Sequence, residues 1–163
     1  MPYSQITEFT LPSIASIGER VEFTISAELV EAPEWSNFVI AIEYTDGPID
    51  RLPILVGTTF YEIPKGHDVK QTFPLPDVGE KVSVICLIDR FYATGKYTLT
   101  AKTGHINTQW EEDARLAKEI EVIAQAPPPP ITDEFVAINS LVNSIMVLMM
   151  VFALMSIMRS LLE

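Results

Sequence analysis

The sequence is poor in the residues from which disulfides, metal sites and reactive nucleophiles are built. It has one cysteine, Cys86, and two histidines, His67 and His105, among 163 residues. A single cysteine excludes an intrachain disulfide, and its apolar surroundings in KVSVICLIDR predict a small buried hydrophobe rather than a reactive thiol. Both histidines are isolated in loop-like stretches, so we expect them to be solvated and predict no metal site.

Motifs of catalysis are also lacking. The sequence contains no Walker, dinucleotide-glycine or G-x-S-x-G pattern. We therefore predict no catalytic residues, no cofactor and no enzymatic activity. The acidic run Glu111, Glu112 and Asp113 has the oxygen ligands that calcium prefers, but such a run is more often a solvated turn, which is our expectation here.

Basic residues are scarce, which limits the partners of the protein. The chain has 11 Lys and Arg against 22 Asp and Glu, a net charge of −11. Residues 1–126, called the head below, hold ten of these bases and nineteen of the acids, a net charge of −9. The head therefore offers no basic surface to a nucleic acid, and anionic lipid headgroups would repel it. The first twenty residues do not have the pattern of a secretory signal.

The head is rich in short stretches with the periodicity of β-strands. VEFTISAEL alternates apolar and polar residues with period two, and so does NFVIAIEY before a turn at Asp46 and Gly47. Pro53 predicts an edge position for its strand. Further strands are expected in DRLPILV, TTFYEIP, VKQTF, EKVSVICLID, GKYTLTAKTG and ARLAKEIEVIA.

Two of these stretches allow a second interpretation. In EKVSVICLID the outer positions Ile85 and Leu87 are apolar as well, which predicts a central strand covered on both faces. A helical turn in DARLAKEI is the alternative to a strand at that point. Seven to nine strands with frequent turns, and no long amphipathic helix between them, predict a mainly β fold, an antiparallel β-sandwich.

The pattern of the head resembles immunoglobulin-like and fibronectin-III-like modules. SIGERVEFTISAEL, NFVIAIEYTDG, TGKYTLTAKTG and EIEVIA are similar to their B, C, F and G strands, over residues 4–124. Tyr97, just after Gly95, stands where such folds often have a corner tyrosine. The chain departs from true immunoglobulin domains because Cys86 has no cysteine partner. The resemblance implies a binding or structural role and no active site.

The C-terminal part of the chain is different in composition. Residues 127–131 begin with four prolines and predict a stiff polyproline linker, and residues 132–163 predict a helix with Thr132 or Asp133 as N-cap. Residues 135–158 carry no charge, and as a helix they are about 36 Å long, enough to cross a membrane. A helix buried inside a water-soluble oligomer, such as a fibre stalk, is the alternative.

Polar residues occupy the first third of this apolar stretch. Asparagines in an apolar helix favour hydrogen bonds to a neighbouring helix, and a position in the headgroup zone is the alternative. We predict that the helix packs laterally on a second copy or on another membrane helix. The residues predicted to form this packing seam are Asn139, Ser140, Asn143, Ser144, Met146, Met150 and Ala153.

Together these features predict a non-enzymatic structural subunit of a larger assembly, held in a membrane by one C-terminal helix. A virion membrane or a cell surface would be its location, and its partners would be membrane lipid and other protein subunits, most simply further copies of itself. Trp35 and Trp110, both near turns, are the predicted interface anchors. An accessory subunit of a membrane enzyme complex and a receptor or adhesion module are the alternatives. Arg159 after the span favours a cytoplasmic C-terminus, whereas insertion of a C-terminal anchor favours a cytosolic head.

Overall fold

A computed structural model describes residues 2–34, 37–125 and 133–162, with the side chains of residues 133–139 and 160–162 excepted. The chain divides into two compact units, Met1–Gln125 and Ala126–Glu163. In the described residues, the first unit consists of strands and the second of a helix. The elements are β1 (Ser4–Phe9), β2 (Ile14–Ser16), β3 (Val21–Leu29), β4 (Asn37–Asp46), β5 (Arg51–Val56), β6 (Thr59–Pro64), β7 (His67–Phe73), β8 (Lys81–Ile88), β9 (Gly95–Ile106), β10 (Trp110–Ile123) and α1 (Asp133–Leu162).

The strands form two five-stranded sheets. The first sheet has the order β1-β3-β8-β5-β6 and the second the order β2-β10-β9-β4-β7. Neighbours are antiparallel except β2, which runs parallel to β10. The strands expected as C, F and G (β4, β9 and β10) are therefore neighbours in one sheet, and the expected B strand (β3) lies in the other. The predicted mainly β fold, a sandwich of two largely antiparallel sheets, is confirmed.

Period-two alternation explains the core, because every second side chain of the central strands points between the sheets. Four aromatic residues, Phe23, Phe38, Tyr44 and Tyr97, are at most 1% exposed there. Each such side chain contributes about 1.5–3 kcal/mol when it leaves water. Cys86 is fully buried in the same core, and burial raises the pKa of its thiol to about 12. The expectation of an inert, buried cysteine is confirmed.

Two details differ from the strand prediction, and one open alternative is decided. Strands β1 and β2 were not expected. The DARLAKEI stretch is part of β10, as predicted, and not a helical turn. Strand β5 is interior by sheet order, yet it pairs with β8 only through Leu55 and Val56. Pro53 lies outside this short ladder. Although β5 is interior, Pro53 therefore occupies a locally unpaired position, where its missing backbone N–H costs no hydrogen bond to β8.

The predicted corner tyrosine is present. The Tyr97 hydroxyl donates a 2.9 Å hydrogen bond to the carbonyl oxygen of Ala93, four residues earlier. Gly95, between them, has a φ of +134°, a conformation that favours glycine and reverses the chain into β9. The ring of Tyr97 packs at 4.9 Å from that of Phe91. The corner thus ties the entry of β9 to the core.

The second unit contains the predicted C-terminal apolar helix. Its 20-residue stretch Ser140–Arg159 is long and apolar enough to cross a membrane. At 1.5 Å per residue this stretch is about 30 Å long, the thickness of a bilayer's hydrocarbon core. Between Leu141 and Met158 large apolar side chains lie on all sides of the helix, so this part of it has no polar face to turn toward water.

Candidate functional site

The first candidate site is the packing seam of α1. Asn143, Met146, Met150 and Ala153 are spaced by three, four and three residues, and all four side chains are exposed in the described chain. That spacing places them on one stripe of the helix. The amide of Asn143 has no hydrogen-bond partner among the described residues, so it is free to accept one from a neighbouring helix. The side chain of Asn139 lies outside the described residues.

The two serines of the predicted seam behave differently from Asn143. The hydroxyl of Ser144 donates a 2.9 Å hydrogen bond to the carbonyl oxygen of Ser140 within the helix. Ser140 and Ser144 also follow a line about 100° around the helix from the Asn143 stripe, because each residue turns the chain by that angle. Ser144 therefore needs no external partner, whereas the hydroxyl of Ser140, like the amide of Asn143, has no hydrogen-bond partner among the described residues.

A second candidate site is a charged network on the outer face of the second sheet. Lys102 on β9 is only 9% exposed, and its ammonium is ion-paired with Glu43 on β4 and, at 3.2 Å, with Asp68 on β7. Burial lowers the pKa of Lys102, but hydrogen bonds to Glu43 and Asp68 outweigh it, so the pKa is raised. Burial raises the pKa of Asp68, and hydrogen bonds from Lys70 and Lys102 bring it below its usual value. The network joins three adjacent strands.

Trp110, a predicted interface anchor, stands beside this network. It is the first residue of β10 and half-buried, and the ammonium of Lys70 lies 5.4 Å from its ring centroid. A Cβ on Gly104 would come within 2.9 Å of the ring, so the indole lies close against this glycine. Its role as an anchor stays a prediction. Trp35 lies outside the described residues.

The two histidines have different surroundings. His67 is exposed, as expected, but the expectation of a solvated loop is wrong for His105, which lies in β9 and is 5% exposed. Its Nδ1 is 3.1 Å from the carboxylate of Asp113, which also accepts a 2.8 Å hydrogen bond from the Ser4 hydroxyl. The acidic run is likewise not a turn. It belongs to β10, where the sheet register shifts between Glu112 and Ala114 and brings Asp113 to His105.

Serine, histidine and aspartate thus meet, but not as a catalytic triad. Asp113 accepts from both Ser4 and His105, and Ser4 is fully buried, so its hydroxyl faces neither a base nor a substrate. A polar depression of about 440 Å³ lies beside His105, between Tyr3, Glu34 and Glu111. Among the described residues, no three His, Cys, Asp or Glu side chains are placed to hold a metal ion.

A third candidate site is an apolar patch on the outer face of the first sheet, formed by Pro53, Leu55, Phe60, Ile85, Leu87 and Tyr92. Phe60 is 62% exposed, Ile85 55% and Tyr92 66%. A shallow depression of about 140 Å³ lies among these residues, with Asp89 and Arg90 on its wall. The expectation that β8 is covered on both faces is wrong for the described chain, because no described segment covers this face at Ile85.

Comparison with known proteins finds only distant structural similarity. No protein-family model matches the sequence, and no curated protein matches it. Among solved structures, the CARDB domain of the PF1109 protein from Pyrococcus furiosus, in complex with di-metal ions, is 9% identical, with 77% of this chain and 98% of that chain covered and a TM-score of 0.46. AvmM, which catalyses macrocyclisation in alchivemycin A biosynthesis, is 13% identical, with 79% and 92% covered and a TM-score of 0.45. Scores below 0.5 at such identities carry no argument about function.

Proposed function

We propose that the protein is a non-enzymatic structural subunit of a larger assembly, anchored in a membrane by α1. The β-sandwich makes the protein contacts of the assembly, and the helix holds each copy in the bilayer and packs laterally. A virion membrane or a surface lattice is the setting that this proposal favours.

The observation that carries the proposal is the uncovered apolar surface of α1. Fourteen large apolar side chains between Leu141 and Met158 are each about half exposed or more. Covering such a side chain stabilises it by about 1.5–3 kcal/mol, so together they favour removal from water by roughly 20–40 kcal/mol, as an upper bound. No stable protein leaves such a surface in water, and either lipid or other protein must cover it.

Lateral packing follows from Asn143. The residue lies three positions into the apolar stretch, about 5 Å below its start, where water is already scarce. An amide there is satisfied best by a hydrogen bond to a neighbouring helix, which contributes roughly 0.6–2 kcal/mol. Two copies that face each other through the same stripe satisfy both amides at once.

The test is vesicle binding followed by mass measurement of the full chain. The protein should float with phosphatidylcholine vesicles and resist extraction at pH 11, and light scattering in detergent should give a defined oligomer. Asn143→Leu should reduce the oligomer, whereas Ser144→Ala, which removes a hydroxyl already satisfied within the helix, should not. A full chain that is soluble and monodisperse without detergent would refute the membrane anchor.

A further inference from the structure

We propose that the apolar patch on the outer face of the first sheet is the surface through which two heads pair, each copy presenting the same patch. This inference rests on the proposed function and deepens it, because it names the partner of the head: a second copy of this chain.

The first argument is the placement of the patch. The outer face of the neighbouring strand β3 is polar, with Glu22, Thr24, Ser26 and Glu28 in register with β8. Apolar side chains are thus confined to β5, β6, β8 and the segment after β8. Tyrosine, phenylalanine and arginine, which meet there, are the residue types enriched at the centres of protein interfaces.

The second argument is area. Three large side chains that are each more than half exposed, with three half-buried neighbours, make a contiguous apolar surface of roughly 400–600 Å². Two such patches face to face bury about 1,000 Å² in total, the lower limit of a specific contact. A membrane anchor supplies the rest, because it raises the local concentration of heads and so makes a weak contact sufficient.

The third argument is charge. The head carries a net −9, so two heads repel each other over most of their surface. Around the patch, however, the bases Arg51 and Arg90 stand beside the acids Glu62 and Asp89, and even with Glu22 the local sum is only −1.

Balanced charges suit a twofold axis, which brings each base of one copy to an acid of the other. Asp89 and Arg90 form a 3.3 Å pair within the chain, but both side chains are more than half exposed, so exchanging partners costs little. A basic partner protein would find more complementary charge elsewhere on the head. A second copy is therefore the occupant that fits this surface.

The experiment measures the mass of the full chain in detergent as a function of concentration, for the protein and four variants. Phe60→Ser with Ile85→Thr should raise the dimer dissociation constant by about 100-fold, as expected when two central anchors are lost. Ile14→Thr is the matched control, because Ile14 is 60% exposed on β2 of the other sheet, and it should change nothing. Asp89→Arg should weaken pairing, and Asp89→Arg combined with Arg90→Asp should restore it.

Asn143→Leu, measured in parallel, separates the two proposals. Oligomers that depend on Asn143 and not on Phe60 and Ile85 would overturn pairing of the heads and leave the membrane subunit standing. A full chain that is monomeric at all concentrations would also overturn pairing of the heads. Unfolding midpoints of all variants, expected within 2 °C of the parent, show that the mutated residues act at the surface and not through the fold.

Discussion

Removing one hydroxyl tests the corner that starts β9. In Tyr97→Phe the ring stays, fully buried against Phe91, and only the 2.9 Å hydrogen bond to the Ala93 carbonyl is lost. A hydrogen bond of this kind contributes about 0.5–1.5 kcal/mol, and a carbonyl left without a partner adds to the cost. Because Ala93 is half-buried, water replaces only part of the loss, so we expect destabilisation by about 1–2 kcal/mol.

Chemical denaturation by urea, followed by tryptophan fluorescence, measures this change. The midpoint should fall at constant slope, and the melting temperature should fall by roughly 4–8 °C for a domain of this size. Tyr61→Phe is the matched control, since Tyr61 is half-buried against the core and its hydroxyl has no hydrogen bond among the described residues. Equal stability losses for the two variants would refute the assignment of a specific role to the corner.

The same residue predicts an effect of pH. Burial raises the pKa of Tyr97, and the hydrogen bond to Ala93 offsets only part of this increase. Because folding raises this pKa, the contribution of Tyr97 to stability is complete below the unfolded pKa near 10 and is lost as the pH rises through the folded pKa. Part of the alkaline loss of stability should therefore be absent in Tyr97→Phe. An alkaline limb of the same steepness in both proteins would contradict this reasoning.

Two further substitutions probe polar groups that the fold has removed from water. Lys102→Met leaves Glu43 without its cation and Asp68 with Lys70 alone, and should cost about 2–4 kcal/mol at pH 7. Because folding lowers the pKa of Asp68, the stabilisation from its ion pair is present above the unfolded pKa near 4 and is lost as the pH falls through the folded pKa. Denaturation curves of the variant and the parent should therefore converge in acid. A stability difference that stays constant down to pH 3 argues against the network. Gln71→Met removes the one buried side-chain oxygen that has no hydrogen-bond partner among the described residues. The variant should stabilise the head by about 1 kcal/mol, measured by urea denaturation. A loss of stability would show that the amide of Gln71 has a partner in solution.

Strands were predictable where local alternation alone determines them. VEFTISAEL and NFVIAIEY are central strands whose inward residues follow a period of two, and both were expected, although the outward Val39 and Ala41 are buried as well. Strand β1 was missed because its pairing with β3 shifts register between Ile6 and Glu8. The bulge places Ile6 and Phe9, three residues apart, toward the same core, so the sequence shows no period of two.

The polar sites were harder to predict, because the burial of a polar residue depends on partners far away in the chain. His105 lies in a polar stretch that resembles a loop. Its burial is made tolerable by Asp113, which a bulge in β10 moves toward it and which also binds Ser4, about a hundred residues earlier. No local pattern contains that information. The resemblance did indicate Tyr97, since the corner depends on residues only four positions apart.

The second apolar face of β8 lies between these two cases. Alternation predicted correctly that Ile85 and Leu87 share one face, and the composition of that face predicted a cover. The described chain supplies none, and Ile85 is 55% exposed. A sequence encodes the surfaces that its assembly buries as well as those that its own fold buries, and at the level of residue pattern the two are identical. Pairing of heads through this face would make the prediction of a covered strand correct for the assembly although it is wrong for the single chain.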